Sequence, residues 1–87
     1  SWPGETLDIG SRGQKVEQLQ EQLNAISNHY PLIPKIRADG IYGEETQRAV
    51  KTFQDIFGLP ETGEVDYRTW YKIQEIYVGV TRIAELY

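Results

Sequence analysis

Residues 39–54 read Asp-Gly-Ile-Tyr-Gly-Glu-Glu-Thr-Gln-Arg-Ala-Val-Lys-Thr-Phe-Gln, a glycine-bounded turn followed at once by an amphipathic pattern. Gly40 and Gly43 bracket the turn, and glycine permits the positive φ angles that a sharp reversal can require. With Gly43 as N-cap, Glu44 and Glu45 lie in the first helical turn and face the positive end of the helix dipole. Apolar residues then recur at helical spacing, and a Gly and a Pro end the helix: Ala49, Val50, Phe53, Phe57, Gly58 and Pro60.

The turn-plus-helix pattern occurs a second time at residues 62–69, which read Thr-Gly-Glu-Val-Asp-Tyr-Arg-Thr. Gly63 matches Gly40, and Asp66 matches Gly43. Asp66 is therefore predicted to be the N-cap of a third helix. The apolar stripe of that helix contains Trp70, Ile73, Tyr77, Val80, Ile83 and Ala84. Gly79 interrupts this stripe, so the helix either ends near Val78 or continues with a bend.

A first helix is predicted upstream of both turns. Ser11 and Gln14 have the spacing of a capping box, although Gly13 can itself mark the start. A narrow apolar stripe follows at Val16, Leu19, Leu23 and Ile26. The connection from Asn28 to Gly43 is long for so small a chain, contains Pro31 and Pro34, and is expected to be partly extended over residues 33–37.

Composition limits the classes of protein. The 87 residues allow one domain, and the net charge of −4 argues against nucleic acid or an anionic membrane as partner. No apolar run approaches the roughly 20 residues that span a bilayer. The chain has no methionine, not even at position 1, so we expect it to be part of a longer protein. It has no cysteine, which excludes disulfides and thiolate chemistry. We also expect a monomer.

No catalytic or metal-binding pattern emerges. His29 is the only histidine and lies in a loop beside prolines, whereas zinc needs three or four His or Cys ligands. Asp39, Glu44 and Glu45 lack the spacing of a calcium loop, and we interpret Asp39 as hydrogen-bonding its own turn. The glycines precede no Gly-Lys-Ser/Thr. We therefore expect no cofactor, no metal and no enzymatic activity.

Taken in order, these residues resemble the peptidoglycan-binding domain family of bacterial cell-wall hydrolases. The resemblance covers about residues 7–77 and rests on three groups: Leu7, Gly10, Gly13, Val16, Leu19-Gln20 and Leu23; Asp39-Gly40-Ile41-Tyr42-Gly43, Thr46, Ala49-Val50, Phe53-Gln54 and Gly58-Leu59; and Thr62-Gly63-Glu64-Val65-Asp66 and Thr69-Trp70. The resemblance implies an all-α fold, a small orthogonal three-helix bundle with Gly-containing turns at the helix starts. Two departures are the long loop 28–37 and a third helix that continues past Ile76.

The resemblance also implies a non-catalytic module that anchors a linked hydrolase, amidase or spore-cortex protein to the bacterial wall, outside the cell. The expected ligand is the glycan or the stem peptide of peptidoglycan. The predicted contacts lie beside the turn, where free N–H groups at the helix start can meet a carboxylate: Arg37, Asp39, Tyr42, Gly43 and Tyr71. For Tyr42 a second interpretation stays open, because its counterpart Val65 is apolar and such a residue can pin the turn to the core. The alternative function is a protein–protein interaction module on the same scaffold.

Overall fold

Three helices form the structure: α1 (Gln14–Ser27), α2 (Glu44–Ile56) and α3 (Tyr67–Leu86). The structure, a computed structural model, describes the backbone of residues 1–86 and the side chains of residues 1–82. Within residues 1–86 there is no strand, only two isolated antiparallel bridges, Leu7 with Val65 and Arg12 with Ile41. The prediction of an all-α three-helix bundle is confirmed.

The core is built from the predicted stripes. α1 packs mainly against α3 and less extensively against α2. Trp70 and Phe53 are fully buried, as their helical spacing predicted. They pack with buried side chains from all three helices and the connecting segments, namely Leu7, Val16, Leu19, Leu23, Ile26, Ile33, Ile36, Tyr42, Ala49, Val50, Val65, Ile73 and Val80.

The start of α1 differs from the capping-box prediction. Gly13, with φ +124°, is the N-cap, and Ser11 makes no cap because its Oγ accepts from Asp8 N–H at 3.1 Å. Gly10 N–H donates to the carbonyl of Tyr42 at 2.9 Å, Tyr42 N–H donates to the carbonyl of Ser11 at 3.0 Å, and Gly13 N–H donates to that of Gly40 at 2.9 Å. This long-range pairing clips the N-terminal segment onto the turn that precedes α2.

The other observed helix boundaries lie close to those predicted from the sequence. α1 ends before Asn28, α2 begins after Gly43 and ends before Gly58, whose φ is +73°. α3 continues through Gly79 to Leu86. The side chains of Ile83 and Ala84, assigned above to its stripe, lie outside the described residues.

The long connection between α1 and α2 forms no strand. Ile33 and Ile36 pack it onto the core, whereas Leu32 is 79% exposed. Ser27 Oγ and the Asn24 side chain bind its backbone at the carbonyls of Ile33 and Ile36. These anchors bring the end of the connection, residues 36–41, against the start of α2.

Candidate functional site

A buried glutamine of α1 organises the turn before α2. Gln20 is 1% exposed, and its Nε2 shares its two protons among three acceptors: the carbonyl of Ile41 at 2.9 Å, Thr46 Oγ1 at 3.0 Å and Asp39 Oδ1 at 3.2 Å. Its Oε1 accepts from Gly40 N–H at 2.8 Å. The whole amide is therefore hydrogen-bonded, as a buried polar group requires, and α1 is tied to both the turn and the first turn of α2.

The same arrangement recurs at the second turn. Gln54 of α2 donates to the carbonyl of Glu64 at 2.9 Å and to Thr62 Oγ1 and Thr69 Oγ1, both at 3.1 Å. It accepts from Gly63 N–H at 2.9 Å. The repeat recognised in the turns thus extends to a glutamine on the preceding helix. Sequence reasoning missed both glutamines as structural centres, and the available indication was their shared position directly after a buried apolar residue, in Leu19-Gln20 and Phe53-Gln54.

The helix starts that follow the two turns differ in their caps. Asp66 caps α3, since its Oδ1 accepts from Thr69 N–H at 3.0 Å, and this hydrogen bond holds the pKa of the Asp66 carboxyl below its usual value. The predicted cap is confirmed. Gly43, at the equivalent position, has no side chain to offer, so α2 has no side-chain cap. The N–H groups of the first turn of α2 are left without a side-chain acceptor.

A cavity of about 230 Å³ lies at this uncapped start of α2. Its walls come from α1, from the end of the long connection and from the first turn of α2: Gln20, Arg37, Asp39, Ile41, Gly43, Glu44, Glu45 and Thr46. The Gln20 hydrogen bonds hold three of the other lining residues, namely Asp39, Ile41 and Thr46, in place.

The cavity carries charges of both signs. Arg37 Nε lies 3.8 Å from Glu45 Oε2, and the Arg37 side chain is 82% exposed, so the pair is weak and the guanidinium can turn toward a ligand. Asp39 Oδ1 accepts from Ile41 N–H at 3.0 Å, which confirms that it bonds its own turn. That bond, helped by the Gln20 amide, lowers the pKa of Asp39 and keeps its carboxyl ionised.

The structure brings together three of the five residues predicted as ligand contacts. Arg37, Asp39 and Gly43 line the cavity. Tyr42 does not, because its ring is 1% exposed and its hydroxyl donates to the carbonyl of Gly63 at 2.6 Å. Burial also raises the pKa of the Tyr42 hydroxyl, which stays a donor. The expectation that the Tyr42 ring meets a ligand is therefore wrong, and the core interpretation drawn from Val65 is correct. Tyr71 lies on α3 and packs against Tyr67 instead.

Comparison with known proteins assigns the family. The profile of a putative peptidoglycan binding domain matches residues 12–73, which include both turns and both glutamines. The chain belongs to the peptidoglycan-binding domain family. The prediction made from the ordered glycine and apolar residues is confirmed, and the module is a cell-wall-binding domain on a three-helix scaffold.

Relatives of this peptidoglycan-binding domain include whole enzymes. It is 33% identical over 76 residues to a zinc D-Ala-D-Ala carboxypeptidase of Streptomyces albus G, covering 87% of this chain and 28% of that protein. The SleB N-terminal domain superposes with a TM-score of 0.75 at 26% identity, over 88% of this chain and 99% of that one. A fused Zn-dependent amidase/peptidase/peptidoglycan-binding domain-containing protein of Clostridium acetobutylicum superposes with a TM-score of 0.70 at 29% identity, over 79% of this chain and 28% of that one.

Two further observations concern the described part of the peptidoglycan-binding domain. Within it, no helix is both long enough and apolar enough to cross a membrane. No cluster of His, Cys, Asp or Glu side chains within it is arranged as a metal site.

Proposed function

We propose that this module binds the stem peptide of peptidoglycan in the cavity at the start of α2 and thereby anchors a linked cell-wall hydrolase to its substrate. The observation that carries the proposal is the contrast between the two helix starts. Asp66 closes the start of α3, whereas Gly43 leaves that of α2 open to a cavity. The fusion of related domains to a carboxypeptidase or an amidase supports the anchoring role.

The groups around the cavity fit the free end of a short peptide. Unpaired N–H groups at a helix start and the guanidinium of Arg37 attract a carboxylate. Asp39 and Glu44 on the same wall attract an amine. A stem peptide offers both groups, because it ends in a carboxylate and carries an amino acid with a second ionic group in its side chain. The glycan strand offers neither group in its repeating rings.

Substitution of Gly43 tests this role without disturbing the fold. Gly43 has φ −113° and ψ −166°, which any residue adopts, and a Cβ there would meet nothing within 4 Å. Gly43→Asp and Gly43→Asn would cap α2 as Asp66 caps α3 and stabilise the domain by a few tenths of a kcal/mol or more. The same side chains would occupy the N–H groups that the ligand needs.

We expect Gly43→Asp and Gly43→Asn to melt at or above the wild-type temperature and to bind purified sacculi at least about tenfold more weakly, as expected for roughly 1.4 kcal/mol of lost interaction. Gly43→Ala is the matched control, because it adds a Cβ but no acceptor, and it should bind as the wild type does. Wild-type affinity in both capped variants would show that this cavity is not the site. No co-sedimentation of the wild type with sacculi would refute wall binding itself.

A further inference from the structure

Three aromatic rings form a continuous surface away from the cavity walls. Tyr67 and Tyr71 lie one helical turn apart on α3, are 62% and 43% exposed, and have ring centroids 4.8 Å apart. Trp2 extends the row, with its ring centroid 5.9 Å from that of Tyr67. None of the three lines the cavity at the start of α2.

The core supports this aromatic row. Trp2 packs edge-on against the fully buried Trp70, with centroids 6.3 Å apart and planes at 72°. The ammonium of Lys15 lies over the Trp70 ring, 5.6 Å from the ring centroid. Lys15 Nζ donates to the carbonyl of Ser1 at 3.0 Å, which fixes the backbone beside Trp2. Trp2 is therefore held against the core before a ligand binds, which lowers the cost of ordering its side chain on binding.

The chemistry of the row fits sugar rings. The face of a pyranose is a patch of C–H groups, which stacks on the electron-rich face of an aromatic ring, and the phenol hydroxyls can hydrogen-bond its polar edge. The three rings themselves are uncharged, and the ammonium of the neighbouring Lys15 is already engaged by the carbonyl of Ser1 and by the Trp70 ring. The row is also far smaller than a protein partner requires, since a stable protein interface uses about 20–30 residues a side.

We propose that Trp2, Tyr67 and Tyr71 form a stacking surface for the amino-sugar rings of the peptidoglycan glycan strand. This inference rests on the proposed function, because peptidoglycan supplies the strand. Each stem peptide is attached to a sugar of that strand, so the two proposed surfaces would bind connected parts of the same polymer.

A peptide-free probe separates the two surfaces. The double variant Tyr67→Ala/Tyr71→Ala, whose side chains are exposed, is titrated with an oligomer of β-linked N-acetylglucosamine and, separately, with a free stem peptide. We expect it to bind the oligomer about tenfold more weakly than the wild type, given the usual worth of two aromatic contacts. Tyr67→Phe/Tyr71→Phe keeps the stacking faces and should retain most of the affinity. Leu32→Ala, at an exposed apolar residue of the long connection, should change nothing.

The outcomes distinguish this inference from the proposed function. Gly43→Asp should show the reverse pattern, with sugar binding kept and peptide binding lost. If the wild type binds sacculi but not the oligomer, or if Tyr67→Ala/Tyr71→Ala binds the oligomer with wild-type affinity, the stacking surface is refuted and wall binding stands. If the double variant changes only the oligomeric state in sedimentation, the row joins two copies of the chain and the inference is wrong. If the wild type binds neither sacculi nor either probe, both proposals fail.

Discussion

At the scale of single residues, Trp70 contributes most to the core. Its side chain is fully buried, and among the described residues its indole N–H has no hydrogen-bond partner, so no hydrogen bond of the side chain contributes to its stability. Trp70→Ala removes the largest buried side chain and leaves a cavity, at a cost of about 3–5 kcal/mol in the free energy of unfolding. Urea denaturation followed by circular dichroism measures this loss. A loss below roughly 1 kcal/mol would show that Trp70 does not pack as described.

Asp66 tests the cap of α3. Asp66→Ala should lower the free energy of unfolding by about 1 kcal/mol, and Asp66→Asn, which can still accept from Thr69 N–H, should lower it much less. Equal damage from both substitutions would contradict the cap.

The pKa of Asp66 predicts the pH dependence of that contribution. Because the folded state lowers the pKa of this carboxyl, its stabilisation is fully present above the unfolded value near 3.9 and is lost as the pH falls through the lower folded pKa. The difference in melting temperature between the wild type and Asp66→Asn should therefore shrink below about pH 4. If the difference in melting temperature stayed constant down to the pH of acid unfolding, the charge of Asp66 would not be the cause of its stabilisation.

Residues with a periodic or capping context could be predicted from the sequence. Phe53 and Trp70 follow helical stripes, and Asp66 precedes one. Tyr42 lies between two glycines, where no period indicates a direction, and only comparison with Val65 pointed to the core. Its placement depends on a hydrogen bond to Gly63, 21 positions away, which no local pattern encodes.

At the scale of elements, the two glutamines connect each turn to its preceding helix. Gly40 and Gly63 have φ of +76° and +75°, and a Cβ on Gly63 would lie 2.9 Å from Gln47 Cγ, so the second turn is enclosed by α2 side chains. The two glycines differ in burial, since Gly63 is buried and Gly40 is half-buried. Water can reach the first turn more easily than the second.

This difference predicts unequal effects of matched substitutions. Gln54→Leu strands buried polar groups and should cost about 3 kcal/mol, whereas Gln20→Leu should cost about 2 kcal/mol because water replaces part of its network. In the folded fraction, only Gln20→Leu should weaken binding of the stem peptide, since only Gln20 shapes the cavity. Thermal melts and peptide titrations give the two values. If both variants lost the same amount of binding, the stem peptide would not bind in the cavity.

The helix boundaries show which features a local sequence pattern can predict and which it cannot. α2 and α3 begin at the predicted caps because their caps are local features. The capping box at Ser11 failed because the Ser11 Oγ accepts from Asp8 N–H and not from an N–H of α1. The open start of α2 is visible in the sequence as Gly43 opposite Asp66. The cavity itself requires the long connection to fold back, which the sequence does not reveal.

At the scale of the whole molecule, one small core joins the two turn-plus-helix units. The N-terminal segment pairs with both turns, through Arg12 and Ile41 in the first and through Leu7 and Val65 in the second. Tyr42 connects the turns directly through its hydroxyl. A chain of this size buries a limited area, so these cross-links between the units should make unfolding a single cooperative transition.

Tyr42 therefore tests whether the domain behaves as one unit. Tyr42→Phe keeps the packed ring but leaves the buried carbonyl of Gly63 without its donor, at a cost of about 1–2 kcal/mol. Tyr42→Ala also removes the ring and should cost about 3–5 kcal/mol. Because the ring is buried and belongs neither to the cavity wall nor to the aromatic row, the folded fraction of both variants should bind sacculi with wild-type affinity. Binding that falls in Tyr42→Phe while its melting temperature stays unchanged would return Tyr42 to the ligand surface. The shared core predicts a single transition in both variants. A melt with two separate transitions would contradict this and show that the two units unfold independently.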